Sequence, residues 1–492
     1  MSTKSVNAAV CLAKSKDASL HASMQDINDQ EGANTVQKDK ELEGAAYADE
    51  DDAVSECATI VNGGEPFETF QHKVSEHASK IFHKKQSDIT IKKMKGGTYN
   101  RVVGVTISSK VQKFTLEWFK SCLRRLQGIA SVDSKSYIIR IPRVKVTGEN
   151  AVRSMRDDME QEVAILKTVQ SQLPLPTPQV VSYDLTTDNV FERPYMVQKR
   201  IPGKNLQIQL WDQLNLEQKK SVVKQVANLP SIIASLQGPA GNLSCDNLSR
   251  TSVLSVITNK FHKPAYDKQS TPRLATTHKP LEFLLECINH WRAYQTAKQG
   301  FCFEELWDAF EIIANSLEKH GFLNGPCVLV QRDLKPYNLL AEIRSDTEVE
   351  ITGVIDCDSA VIAPEFMAYP APFWSWLPDD AADRTTADEE VFCLSAKPCT
   401  EDGKAIKQTF EENVSEKYKM YSFSMQAILA RRMFLVLHDG IFGPWMMSET
   451  QNIIVHYIEL HPEDGVEYED ASEDEVAKAQ IAISQYKVNN QN

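Results

Sequence analysis

The sequence predicts a two-lobed α+β fold, with a small strand-rich first lobe running into a larger helical one. Three observations predict it. Short β-type apolar runs cluster between residues 88 and 200. Helical spacing dominates from about residue 215 onward. Between them "RPYMVQKRIPGKNL" (193 to 206) reads as a strand that leaves through a turn at Pro202-Gly203.

Taken in order, residues 1–65 are polar and acidic, with "KELEGAAYADEDDAVSE" at 40 to 56, and are expected to form a disordered leader. The first lobe is placed at 66–202. In it "DITIKKM" and "RVVGVTI" flank "KGGTYN", giving two strands joined by a glycine turn, and "SYIIRIPR" (136 to 143) is a third strand. Val152, Met155, Met159, Val163 and Leu166 recur at spacings of three and four, which predicts an amphipathic helix. The helical lobe is placed at 203–460. Asn215 and Gln218 form a capping-box pattern ahead of Val222, Val223, Val226 and Leu229. Residues 239–279, rich in Ser, Thr, Pro, Asn and Lys, read as a loop or insertion. Phe303, Leu306, Trp307, Phe310, Ile313 and Leu317 make a core-facing stripe ending near Gly321, and "SMQAILARRMFLVLHDGIF" supplies a late helix. An acidic tail is placed at 461–492.

At 42% hydrophobic and 25% charged, the 492 residues have an ordinary globular composition. A net charge of −13 argues against a general nucleic-acid binder. Apolar runs fall short of the roughly 18 residues that span a bilayer, so no membrane partner is expected. Neither a secretory signal nor an arginine-rich presequence opens the chain, which makes the cytoplasm the expected location. Ten cysteines without a CxxC pair point to reduced thiols, not to zinc or disulfides. No obligate protein partner is signalled.

The chemistry concentrates in "VLVQRDLKPYNLL" (328 to 340) and "VEITGVIDCDSA" (349 to 360). Asp333 follows an apolar run and precedes Asn338 by five residues, so one short loop can aim a carboxylate at a substrate hydroxyl and an amide oxygen at a metal. A second apolar strand delivers Asp356 to its end as a further oxygen ligand, a donor type that suits Mg²⁺. Upstream, Gly96 and Gly97 allow close backbone approach, Arg140 offers a cation, and Glu162 lies on the next helix where its partner would be. In that order these residues suit phosphoryl transfer, which asks chiefly for positioning and charge neutralisation.

The chain thereby resembles the aminoglycoside phosphotransferase (APH) family, and in particular its fungal branch of phosphotransferase enzymes. The resemblance runs over residues 85 to 450 and rests most specifically on "VLVQRDLKPYNLL" and "ITGVIDCDSAVIAPEFMAYPAPFW". It implies a bilobal protein-kinase-like fold, ATP (or GTP) with Mg²⁺, and a small-molecule hydroxyl as acceptor. Asp333 would be the catalytic base, and Asn338 and Asp356 the metal ligands. Gly96, Gly97, Thr98, Arg140, Glu162, Gln198 and Arg200 would face the nucleotide. Two residues depart from the family pattern: Gln331 stands in the place of histidine, and Cys357 in that of tryptophan. A Ser/Thr protein kinase is opposed by "IDCDSA" in place of Asp-Phe-Gly and by Ala363-Pro364-Glu365 beginning seven residues after Asp356. A pseudokinase is the non-enzymatic alternative, supported by Gln331 and the acidic termini.

Overall fold

The computed structural model describes residues 65–94, 100–108, 134–143, 149–246, 255–259, 273–299, 302–377, 387–441 and 444–466. The expected leader (1–65), apart from Glu65, and most of the acidic tail therefore lie outside the described residues. So do Gly96, Gly97 and Thr98.

The chain opens with α1 (Phe67–Phe82), followed by β1 (Ile89–Lys93), β2 (Asn100–Ser108), β3 (Ser134–Pro142), α2 (Glu149–Gln172), β4 (Val180–Asp184) and β5 (Tyr195–Lys199). The five strands form one antiparallel sheet in the order β1-β2-β3-β5-β4. Alternation along β3 sets its two faces. Ile139 and Ile141 are buried with Phe70, Val74 and Ala78 of α1, so Arg140 projects from the opposite face, where α2 packs. The sequence reading did not anticipate α1. Its stripe of Phe70, Val74 and Ala78 at intervals of four is the signal that marks it.

The connector bends at Gly203, whose φ of +111° favours glycine. It then adds a short strand, β6 (Lys204–Asn205), before α3 (Leu216–Ala234). The predicted capping box is formed at Asn215, with side chain and backbone bonded reciprocally to Gln218. Residues 239–279 are not wholly irregular: β7 (Asn242–Asp246) and β8 (Ser255–Asn259) pair as antiparallel strands, with β7 against α2. Composition hid this pair, because "NLSCD" and "SVITN" each carry few apolar residues amid a polar stretch.

Next come α4 (Pro280–Tyr294) and α5 (Glu304–Lys319), the latter ending just before Gly321 with φ +84°. Trp307, Phe310, Ile313 and Leu317 of its stripe are fully buried. The four strands that frame the cleft follow: β9 (Cys327–Gln331), β10 (Leu339–Ile343), β11 (Val349–Val354) and β12 (Ala360–Pro364). They form two small antiparallel sheets, β9 with β12 and β11-β10-β6. The chain continues through α6 (Ala387–Ser395), α7 (Glu401–Glu412), α8 (Glu416–Phe423), α9 (Met425–Asp439) and α10 (Pro444–Leu460). One apolar core joins α2, α3, α4, α5, α9 and the β9–β12 strands, and it fixes both loops of the cleft. Among the described residues no helix is long and apolar enough to cross a membrane.

Candidate active site

Two loops meet in the cleft, and the strands beneath them explain why. The buried run Cys327–Val330 and the buried Val349, Ile351 and Val354 of β11 are held in the core, so the polar residues that follow each strand are delivered to its edge. The first loop carries Asp333 and closes in the short turn Pro336–Asn338. Asn338 is only 4% exposed, and its Nδ2 donates both to the Asp333 backbone oxygen (2.9 Å) and to Asp333 Oδ2 (2.8 Å). Spending the nitrogen this way turns the amide oxygen away from Asp333. The other carboxylate oxygen is also engaged, since Tyr337 donates its hydroxyl to Asp333 Oδ1 at 2.6 Å. The Tyr337 side chain nevertheless lies at the surface, at 38% exposure. Burial and the bond to Asp333 both push the phenol above its usual range. The Tyr337 backbone oxygen accepts from Asn205 Nδ2 (2.6 Å), which anchors this loop to the connector.

The second loop carries Asp356 in the left-handed region, with φ +59°. Such a conformation costs a non-glycine residue energy and persists where its surroundings hold it. Here Gln331 does the holding. Its Nε2 donates to the Asp356 backbone oxygen at 2.6 Å, and its Oε1 accepts from Ser359 Oγ at 3.1 Å. Arg332 donates to the Ser359 backbone oxygen (3.2 Å), and Ile355 N–H donates to the Asn338 backbone oxygen (2.9 Å), joining the two loops. The residue that departs from the family's histidine thus makes a bracing contact through its amide. Cys357, the other departure, is buried, and burial pushes its thiol up to about 12.

Arg140 meets this assembly from the first lobe. It bonds Glu162 on α2 through Nη1, and through Nη2 it reaches Asp356 Oδ1 at 2.9 Å. Burial works against its charge, but Glu162, Asp356 and Asp358 outweigh it and raise the guanidinium's pKa. Burial raises Glu162 against the pull of Arg140. Asp358 is also raised, first by desolvation and then by Asp356. Sequence reasoning did not single out Asp358, although the "DCD" spacing places it one residue beyond Asp356's neighbour. Arg140 Nε is buried with no hydrogen-bond partner among the described residues.

Arg140, Glu162, Asp333, Asn338 and Asp356 are therefore brought together. Gln198 lies on the same face of β5 as Met196, is buried, and donates toward the Met196 sulfur at 3.6 Å. Arg200 is exposed at the start of the connector, with its backbone N–H spent on the Ser136 oxygen (2.9 Å). Arg143, just past the end of β3, is buried and donates to the Asn100 oxygen (3.1 Å). Ala363-Pro364-Glu365 closes β12, and Glu365 forms an ion pair with Lys417.

Residues 130–367 match the family model described as APH, phosphotransferase enzyme family. No curated protein matches the chain. Among solved structures, the chain is similar to ADP-bound aminoglycoside phosphotransferase APH(2'')-Ib at 12% identity, covering 78% of this chain and 96% of that one, with a TM-score of 0.38. The gentamicin complex of APH(2'')-IIa is 12% identical over 79% of this chain and 94% of its own, with a TM-score of 0.38. A thermostable APH(4)-Ia variant with ADP and hygromycin B is 14% identical over 78% and 98%, with a TM-score of 0.36.

Proposed function

We propose, from the match of residues 130–367 to the phosphotransferase enzyme family model and from the geometry of the two loops, that the protein transfers the γ-phosphate of ATP, with GTP as the alternative donor, to a hydroxyl of a small molecule. The observation that carries this reading is the Asp333 carboxylate. One of its oxygens is fixed by Asn338 and the other already receives a hydroxyl, that of Tyr337, at 2.6 Å. An acceptor alcohol would take the place of that hydroxyl. Asp333 then orients it and takes its proton as the acceptor oxygen bonds to the γ-phosphorus and the nucleoside diphosphate departs.

The remaining residues fit supporting parts. The Asn338 amide oxygen and the Asp356 carboxylate are hard oxygen donors on hydrogen-bonded loops, a set that fits Mg²⁺. When bound, that ion supplies charge neutralisation across the nucleotide phosphates. Around Arg140, one guanidinium faces the carboxylates of Glu162, Asp356 and Asp358. This excess of negative charge would repel a bare polyphosphate, so nucleotide binding is expected to require a divalent cation. The three-residue turn 357–359 between Asp356 and β12 leaves no length for a peptide-docking platform, which favours a small acceptor.

A nucleotide-binding protein without transfer is the second reading, favoured by the Arg140–Asp356 contact, which occupies one oxygen of a candidate metal ligand. The deciding experiment is a metabolite-extract screen with labelled ATP, comparing wild type with Asp333→Asn. Transfer should fall by about 10²–10⁴ in the variant while Mg²⁺-ATP binding is kept. Undiminished turnover in the variant would place the base elsewhere. Tight binding with no labelled product from wild type would favour the second reading.

A further inference from the structure

Outside these loops, two imidazoles and two carboxylates meet where the end of α5 touches the last described turn. His320 follows α5, and His461, Glu463 and Asp464 follow α10. One ligating atom from each lies within 4.8 Å of the other three. The set is mixed, unlike a solvated acidic patch, and imidazole nitrogen with carboxylate oxygen suits zinc and its neighbours better than Mg²⁺.

Two of the four side chains, His461 and Asp464, are held in place by their neighbours. His461 is 8% exposed, and its ring lies 4.6 Å from that of His320 and 4.9 Å from that of Tyr457, centroid to centroid. His461 Nδ1 sits 3.1 Å from Glu463 Oε1, close to the ~3.3 Å edge expected between donors on a tetrahedral zinc. Its Nε2 faces the Gln426 amide nitrogen at 3.4 Å. Turning that amide would offer its oxygen to an Nε2–H, the outer contact that metal-bound imidazoles typically make. Asp464 is oriented by Ser316, whose hydroxyl binds its Oδ2 and in turn accepts from Tyr457. Asp464 Oδ1 meets the Lys319 ammonium at 3.3 Å, and that side chain, 64% exposed, can swing away.

Without an ion, Lys319 and the His461–Glu463 bond satisfy most of the cluster. His320 is exposed and lies ring to ring with His461, with the three other ligating groups within reach. We propose that His320, His461, Glu463 and Asp464 bind a divalent transition ion, zinc by its ligand set, which pins the end of α5 to the turn after α10.

The test uses the full chain carrying Cys399→Ser, which removes an exposed thiol, freed of metal by chelation and then of chelator. Calorimetric titration with Zn²⁺ in excess Mg²⁺ should give one ion per chain with Kd at or below about 1 µM. Because His320 is exposed, His320→Ala should fold normally and weaken binding by at least ~10-fold, as should Glu463→Gln. Co²⁺ should give a visible ligand-field band that His320→Ala abolishes. Absence of binding below about 100 µM would overturn the proposal. So would one-to-one binding that neither variant weakens, since the ion would then sit elsewhere.

Discussion

The amide of Gln331 donates to the backbone oxygen of Asp356 across 2.6 Å, so strand β9 holds in place the one residue of the second loop with a left-handed backbone. Gln331→Leu would leave that oxygen unpaired in the cleft and is expected to cost about 1–3 kcal/mol. It should also weaken Mg²⁺-nucleotide binding, because the Asp356 carboxylate is aimed by this turn. Gln331→His retains a donor and an acceptor and should keep or raise transfer. Thermal melts and calorimetry on the two variants check this; equal behaviour of Leu and wild type would remove Gln331 as the brace.

Tyr337 occupies the Asp333 oxygen that an acceptor would need. A hydrogen bond to a charged group contributes about 1.5–3 kcal/mol, so relieving it should ease entry of another hydroxyl by roughly tenfold or more. Tyr337→Phe is therefore expected to raise nucleotide hydrolysis, with water as acceptor, while the double variant with Asp333→Asn shows none of that gain. Steady-state phosphate release measures it. An unchanged or lower rate in Tyr337→Phe would mean the phenol helps catalysis and does not merely hold the acceptor's place.

Arg140 and Glu162 form a buried pair, and deleting one member strands the other. Arg140→Met is expected to lose about 3–5 kcal/mol of stability. The double variant Arg140→Met, Glu162→Leu should recover part of it, by removing the stranded carboxylate and refilling its space, while Asp356 still lacks its partner. Nucleotide affinity should stay low in both if the guanidinium meets phosphate. Calorimetry with Mg²⁺-ATP separates these effects, and wild-type affinity in the double variant would exclude Arg140 from the nucleotide site.

His77, on α1, packs edge-on against Phe191 (5.0 Å) and Tyr195 (4.8 Å), and its Nε2 is buried without a partner among the described residues. Burial, with Lys80 nearby, holds its pKa below the ordinary 6.5. Between the lowered folded value and 6.5 the unfolded chain binds more protons. The stabilisation is therefore full above about pH 6.5 and is lost as pH falls through this window. His77→Gln should flatten that part of the stability profile. Urea unfolding across pH 5 to 8 tests it, and parallel slopes in the two proteins would assign the dependence to other groups.

Much of the architecture was legible along the chain because it is local. Runs of β-type residues marked β1, β2 and β3, helical spacing marked α2 and α5, and the Asn215–Gln218 box was written in two residues three apart. Apolar runs ahead of Asp333 and Asp356 likewise announced which polar residues would reach the edge of the core. The β7–β8 pair escaped because "NLSCD" and "SVITN" are short and sit in a polar stretch.

Tertiary structure alone decided who meets whom. Arg140 and Asp356 lie 216 positions apart and touch only because α2 and the β9–β12 strands share one core. Gln331 reads in sequence as a departure from the family's histidine, but the packing of β9 beside the second loop makes it that loop's brace. Tyr337 carries no signal at all in sequence, and a short turn puts its hydroxyl on Asp333. The physical reason is common to all three. Residue pattern reports which side of an element is buried, whereas the partner of a polar side chain is set by the relative placement of elements that the pattern does not encode.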